Sequence, residues 1–207
     1  MTTGYAAVPL ADAWVLHQTP LPRVIDEALK LYGVKEKVGS DNNPVIMEWA
    51  AELGEQRIGW KYTADSIPWC GLGVSISCLR AGKRIPEGPL YALNWAKFGT
   101  PVALRQGLMV DLPLIFANAL LASLGDVLVF DRTQPGATTR SGHVGFYIGE
   151  DSDYYRVLGF NQGDAVSFTW IAKRRCVAIR RPEYHTPPAS VRPFRLKRSG
   201  AISENEA

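Results

Sequence analysis

Cys70, His143 and Asn161 are the residues of this chain whose types and spacing suit nucleophilic chemistry. Cys70 stands in Ile67-Pro68-Trp69-Cys70-Gly71-Leu72. Pro68 and the preceding Asp65-Ser66 are helix-start residues, and Leu72, Val74, Ile76, Cys78 and Leu79 continue an apolar helical run to a stop at Gly82. This spacing puts Cys70 in the first turn. Unpaired backbone N–H groups and the positive end of the helix dipole favour the thiolate there, and the thiolate is the nucleophilic form of cysteine. The competing reading is a small buried thiol, since free cysteine is among the most buried residue types.

A thiol nucleophile needs a base, and of the histidines at 17, 143 and 185 only His143 falls inside the expected core. In a strand over 143–149, His143, Gly145, Tyr147 and Gly149 share one face while Val144, Phe146 and Ile148 share the other. The glycines strip the histidine's face of side chains, which predicts that the helix carrying Cys70 approaches there. A hairpin with its turn centred on Ser152 pairs Gly145 with Gly159, Phe146 with Leu158 and His143 with Asn161. That register sets an amide beside the imidazole, with Cβ atoms ~4.5–5.5 Å apart, to fix its tautomer and ring angle. Asn161 also reads as a turn residue of Asn161-Gln162-Gly163-Asp164, and a one-residue bulge would bring Phe160 or Gln162 to its place.

The elements that must position these groups are helices followed by strands. Helices are expected from Pro22 to Leu31, from Pro44 to Leu53 between an Asp41-Asn42-Asn43 cap and Gly54, across the Cys70 segment, and briefly from Leu90 to Phe98. After Gly125 the apolar period becomes two, and Asp126–Phe130, His143–Ile148, Tyr155–Leu158, Ala165–Trp170 and Cys176–Ile179 read as strands. The pattern predicts an α+β fold, a helical layer packed on a five-stranded antiparallel sheet. Residues 1–20 read as an N-terminal arm, 21–182 as the folded domain and 183–207 as a loose, basic tail with prolines at 187, 188 and 193. The stretch 100–124 has no clear period, and its apolar part, Leu112 to Leu124, reads as helix or buried lid.

With 46% hydrophobic and 21% charged residues, the chain can build a core and is not disordered over most of its length. It has no run of ~20 apolar residues, so no transmembrane segment is expected. Met1 to Pro20 has no basic residue ahead of an apolar run; no signal peptide is read, and synthesis in a cytoplasm is expected. Cys70, Cys78 and Cys176 form neither a disulfide framework nor a metal knuckle, and no metal, other cofactor or nucleic acid is expected. Net charge is only +3, yet Lys173 to Arg198 holds nine Lys/Arg against Glu183 alone. Such a run either seeks polyanions or is a solvated tail.

Pro68-Trp69-Cys70-Gly71, Gly125-Asp126-Val127-Leu128-Val129-Phe130, Gly142-His143-Val144-Gly145-Phe146-Tyr147 and Gly159-Phe160-Asn161-Gln162 follow one another along the chain. In that order they resemble the NlpC/P60 and CHAP group of papain-like cysteine hydrolases, most of all a phage- and prophage-associated branch. The likeness runs from about Pro22 to Pro182. It implies a papain-like NlpC/P60 fold and hydrolysis of amide bonds in bacterial peptidoglycan. The activity would be that of an endopeptidase or amidase, in a phage lysin, a virion-associated lysin or a secreted cell-wall-lytic effector. By resemblance Cys70 attacks the carbonyl, His143 carries the thiol proton to the leaving amine, and Asn161 orients the histidine. The Cys70 backbone N–H holds the oxyanion, and Tyr62, Asp65, Trp69 and Gln162 are the implied substrate or oxyanion contacts.

Peptidoglycan is then the expected partner, with anionic wall polymers or lipid phosphates held by the basic tail. Trp69 and Gly71 flank the cysteine where much of the NlpC/P60 group has Asp and Ser, a pattern nearer to CHAP, and Phe160 stands where a glycine is expected. Two other functions are compatible with these residues: a non-catalytic phage tail component on the same scaffold, and an acyltransferase or deamidase. On the hydrolase reading Cys70 alkylates below the ordinary thiol range near pH ~8.5, while Cys78 and Cys176 stay protected.

Overall fold

Period-two apolar patterning after Gly125 does produce strands, and a computed structural model describing residues 8–105, 114–116 and 120–203 shows what they join. The strands are β1 (Thr100–Leu104), β2 (Ile115–Phe116), β3 (Val127–Asp131), β4 (Gly142–Glu150), β5 (Tyr154–Gly159), β6 (Ser167–Ala172) and β7 (Cys176–Arg181). They form one seven-stranded antiparallel sheet of order β2-β1-β7-β3-β4-β5-β6. The expected α+β, papain-like arrangement of a helical layer on five strands is therefore incorrect: the sheet is open, seven-stranded and the dominant element. Sequence periodicity missed β1 because it buries only the adjacent Val102 and Ala103, and β2 because it is two residues long. Of the Leu112–Leu124 stretch read as helix or lid, 112–113 and 117–119 lie outside the described residues.

The helices are too short to make a continuous layer. They are α1 (Arg23–Leu29), α2 (Pro44–Leu53), α3 (Glu55–Ile58) and α4 (Cys70–Arg80), with a 3-10 turn at Ala92–Lys97 where Leu90–Phe98 was expected to be helical. None of those described is long and apolar enough to cross a membrane. Asn43 caps α2 by accepting the Val45 N–H at 2.9 Å, and Pro44 takes the first helical position where no N–H is needed. Cys70 through Cys78 of α4 are all buried, because α1, α2, β4 and β5 pack around it. Two glycines permit that closeness. A Cβ at Gly73 would collide with the Phe160 ring, and one at Gly71 with the Pro89 and Leu90 carbonyls.

The two sheet faces have separate cores. Val127, Val129, Val144, Phe146, Ile148 and Leu158 pack with the helices. Leu128, Phe130, Tyr147, Val157 and Ile179 pack on the opposite face. The β4–β5 register pairs Gly145 with Gly159 and Phe146 with Leu158, as read from the sequence, before a bulge between Tyr147 and Gly149 shifts it.

The described parts of the two terminal segments, 8–20 and 183–203, are not the loose arm and tail that composition suggested. Residues 13–17 form a 3-10 turn with Val15 buried, and Asp12 makes a fork-to-fork ion pair with Arg156 at 2.6 and 2.9 Å, both side chains almost fully buried. Residues 190–203 run along the sheet. Glu150 N–H donates to Phe194 O, Leu196 N–H to Glu150 O, Trp170 N–H to Ala201 O and Ser203 N–H to Trp170 O, each at 2.9–3.0 Å. Phe194 packs on Trp14 with ring centroids 4.8 Å apart. Proline-rich composition hid this segment because it uses backbone donors and isolated bridges rather than a periodic strand.

Ending the chain at Pro182 therefore lowers the urea midpoint of unfolding, where a solvated tail would leave it unchanged. Asp12→Ala strands the Arg156 guanidinium in the interior and costs about 3–5 kcal/mol, measurable in the same titration.

Candidate active site

The start of α4 has no side-chain cap: Trp69, at the cap position, makes no such hydrogen bond. The N–H groups of Val144, of Gly71 and of Cys70 itself and the charge of Arg132 act on the sulfur instead. Each of these favours thiolate, yet burial is the larger effect and pushes the Cys70 thiol up from its ordinary value. The side chain is 4% exposed. First-turn position thus supplies the donors the sequence implied, but desolvation outweighs them and the resting group is the neutral thiol.

The Val144 N–H belongs to the peptide that joins His143 to Val144, so the thiol reaches the chain at the histidine. The imidazole projects from the other face of β4, fully buried beside Phe130, with ring centroids 6.4 Å apart and planes 29° apart. The expected approach of the Cys70 helix to this face does not occur. The space left open beside His143 by Gly145 and Gly159 does not admit α4. A Cβ on Gly145 would meet Val157, and one on Gly159 would meet the Gln162 side chain. The glycines that admit the helix are on the helix itself.

Gln162 is what uses that space. Its Oε1 lies 3.1 Å from His143 Nε2, and its Nε2 donates to Ser167 O at 2.7 Å. A carbonyl can only accept, so the Ser167 bond fixes which way the amide faces. Oε1 then points at the histidine, and His143 Nε2 must be the protonated nitrogen. In the neutral imidazole Nδ1 then carries the lone pair.

Asn161, expected in this role, sits in the left-handed region at φ 56° and turns the chain, while its buried Oδ1 makes no hydrogen bond. β5 ends at Gly159, so the ladder that would have set Asn161 opposite His143 stops short, and the next residue's longer side chain reaches back. Gln162 was visible in the sequence as a possible contact; its role needed the turn's geometry.

Of the remaining implied contacts, Tyr62 comes nearest in effect. Burial, then the charges of Asp65 and Glu36 and the nearby Cys70, hold its hydroxyl above the usual range, and the O–H donates to Ile67 O at 2.8 Å. Asp65 is structural: Oδ2 accepts the N–H groups of Lys37 at 2.9 Å and Asn43 at 2.7 Å, which ties the segment before α2 to the one before α4. Trp69 is fully buried against Trp49 and donates its indole N–H to Glu36 at 3.3 Å. The loop 88–95 closes over both chemical groups' neighbours, with Pro89 and Leu90 against Gly71, Leu93 against Gly142, and the Tyr91 hydroxyl donating to Arg140 O.

Among the described residues no group of three or more His, Cys, Asp or Glu is arranged to hold a metal ion. The cavities beside Lys83 and Tyr184, beside Arg105 and Lys173, and beside Pro86 and Asn94 are lined by other residues.

Native-state alkylation of Cys70 by iodoacetamide should accordingly rise only above the ordinary thiol range, not below it. A midpoint under pH ~8.5 would show that the dipole and N–H donors prevail over burial. Gly159→Ala should displace Gln162 and alter the His143 side-chain NMR signals while leaving the Phe146–Leu158 pairing intact.

No protein-family model, curated protein or solved structure matches the chain.

Proposed function

We propose that the chain is a cysteine-dependent amide hydrolase acting on peptides of the bacterial cell wall. The observation that carries this reading is the Gln162 amide, locked by Ser167 and bonded to His143 Nε2, which leaves Nδ1 as base at the strand end where Cys70 Sγ meets the following peptide. In the proposed reaction Sγ attacks a carbonyl carbon as its proton passes to His143 Nδ1. N–H groups at the start of α4 receive the developing oxyanion. The imidazolium returns the proton to the leaving amine, and water releases the acid from the thioester. Peptidoglycan as substrate, and hence the cell wall as the place of action, rests on the order of the four sequence motifs.

One set of observations favours a second reading, a non-catalytic component of a larger assembly. Cys70 is 4% exposed, its thiol is pushed up, and it arrives from the sheet face opposite the imidazole.

Incubating the protein with purified peptidoglycan and mapping products by mass spectrometry separates the two. New amine and carboxyl termini, absent with Cys70→Ala and with His143→Ala, support the hydrolase; none with wild-type protein, where a known lysin yields them, supports the second reading. Because Gln162 and not Asn161 holds Nε2, Gln162→Ala should lower turnover on the order of 10²-fold and more than Asn161→Ala does. The reverse ranking would return the orienting role to Asn161.

A further inference from the structure

Away from Cys70, Lys83, Arg84, Lys97 and Arg180 gather where three segments meet: the turn after α4, the end of the Ala92–Lys97 turn, and the chain beyond β7. These segments line a cavity of about 570 Å³. That volume lies within the roughly 300–1,000 Å³ of small-molecule sites. Gly82, at φ +72°, turns the chain sharply out of α4, and its neighbour Lys83 is fixed in place. The Lys83 ammonium donates to Glu183 O and lies 4.4 Å over the Tyr184 ring. Arg180 stands behind the wall, its guanidinium donating to the carbonyls of Phe98 and Gly99, both of which line the cavity.

Burial lowers the pKa of Arg180 from its ordinary value, and no carboxylate acts against that. Arg84 and Lys97 are exposed and make no ion pair among the described residues. Glu183 is the one acid in the lining.

A cavity with several cations and one acid is electrostatically unfinished. A carboxylate carries a single charge and would answer one of the cations. A phosphoryl group is multiply charged or offers several acceptor oxygens, which suits an arginine fork beside lysine point charges. Ile85, Pro86 and Phe98 supply apolar wall for an organic remainder.

We propose that this cavity binds a phosphoryl-bearing anion, either a terminal phosphate or a phosphodiester in a chain. The site is separate from Cys70, and nothing in it depends on the hydrolase reading.

Calorimetric titration of the full chain with inorganic pyrophosphate, and in parallel with a soluble poly(glycerol phosphate), tests the proposal. Wild-type protein should bind at low ionic strength and weaken as salt screens the cations. Arg84→Glu and Lys97→Glu should each weaken binding about tenfold, and together abolish it. Both positions are exposed, so circular dichroism should show the fold unchanged. Arg174→Glu, an exposed arginine lining a different recess, should bind as wild type. Tighter binding of pyrophosphate assigns the site to terminal phosphates, and tighter binding of the polymer to phosphodiesters. No binding by wild-type protein, undiminished binding by the double variant, or an equal loss with Arg174→Glu would each overturn it, the last by reducing the effect to general positive charge.

Discussion

The absence of a side chain at Gly73 sets the geometry of the candidate site. The Phe160 ring fills the space a Cβ would need, and Trp49 meets that ring edge-on with centroids 6.1 Å apart. This contact fixes how closely α4 lies on the sheet, and Cys70 is less than one turn away on the same helix. Phe160 is also the residue before Asn161-Gln162, so the contact anchors the turn from which Gln162 reaches back to His143. One apolar packing contact therefore positions both Cys70 and the Gln162 amide that meets His143. Polar parts of the site are spaced by a hydrophobic element, which is rigid because interiors are packed to near-crystalline density.

Within that frame, electrostatics and desolvation oppose each other at the sulfur. Backbone N–H donors and Arg132 favour a thiolate, but removing a charge from water in a site this enclosed costs more than they return. A buried thiolate and a buried imidazolium would each have to be solvated by the protein, whereas a neutral thiol and a neutral imidazole need not be. The Gln162 bond is compatible with a neutral imidazole, since it requires only that Nε2 carry a proton. A chemical role would thus rest on proton transfer concerted with attack, which asks of the histidine the correct tautomer before substrate arrives.

Much of this was legible in the sequence where local rules decide. The helix carrying Cys70, the Asn43 cap of α2, all the strands after Gly125 and the Gly145–Gly159 register follow from spacing and turn residues. The failures share a cause, which is that tertiary contacts assign what local pattern leaves open. β1 and β2 have too few inward residues to show a period. The glycine-lined face of β4 correctly signalled a close approach, but sequence alone could not say that a glutamine from the next turn, and not a helix, would fill it. Asn161 and Gln162 differ by one position, and the left-handed turn at Asn161 decides between them.

Charge was the least readable property, because counting residues along a chain ignores which way each one faces. Of the basic residues from Lys173 onward, Lys173 and Arg195 meet Glu150, Arg198 meets Asp151 and lies over Tyr154, and Arg192 lies over Phe194. What reads as a polybasic tail is largely a set of satisfied contacts that hold residues 190–203 to the sheet. Arg180 and Arg181 make the point most sharply. Neighbours on a strand point to opposite faces, so Arg181 forks onto the buried Asp126 carboxylate at 2.8 Å while Arg180 finds only the carbonyls of Phe98 and Gly99. The same two adjacent letters contribute a neutralised charge to one face and an unbalanced one to the other. Among the described residues, cations without an ion-pair partner therefore gather at the junction of the α4 turn and the end of β7, and not only where the sequence is most basic.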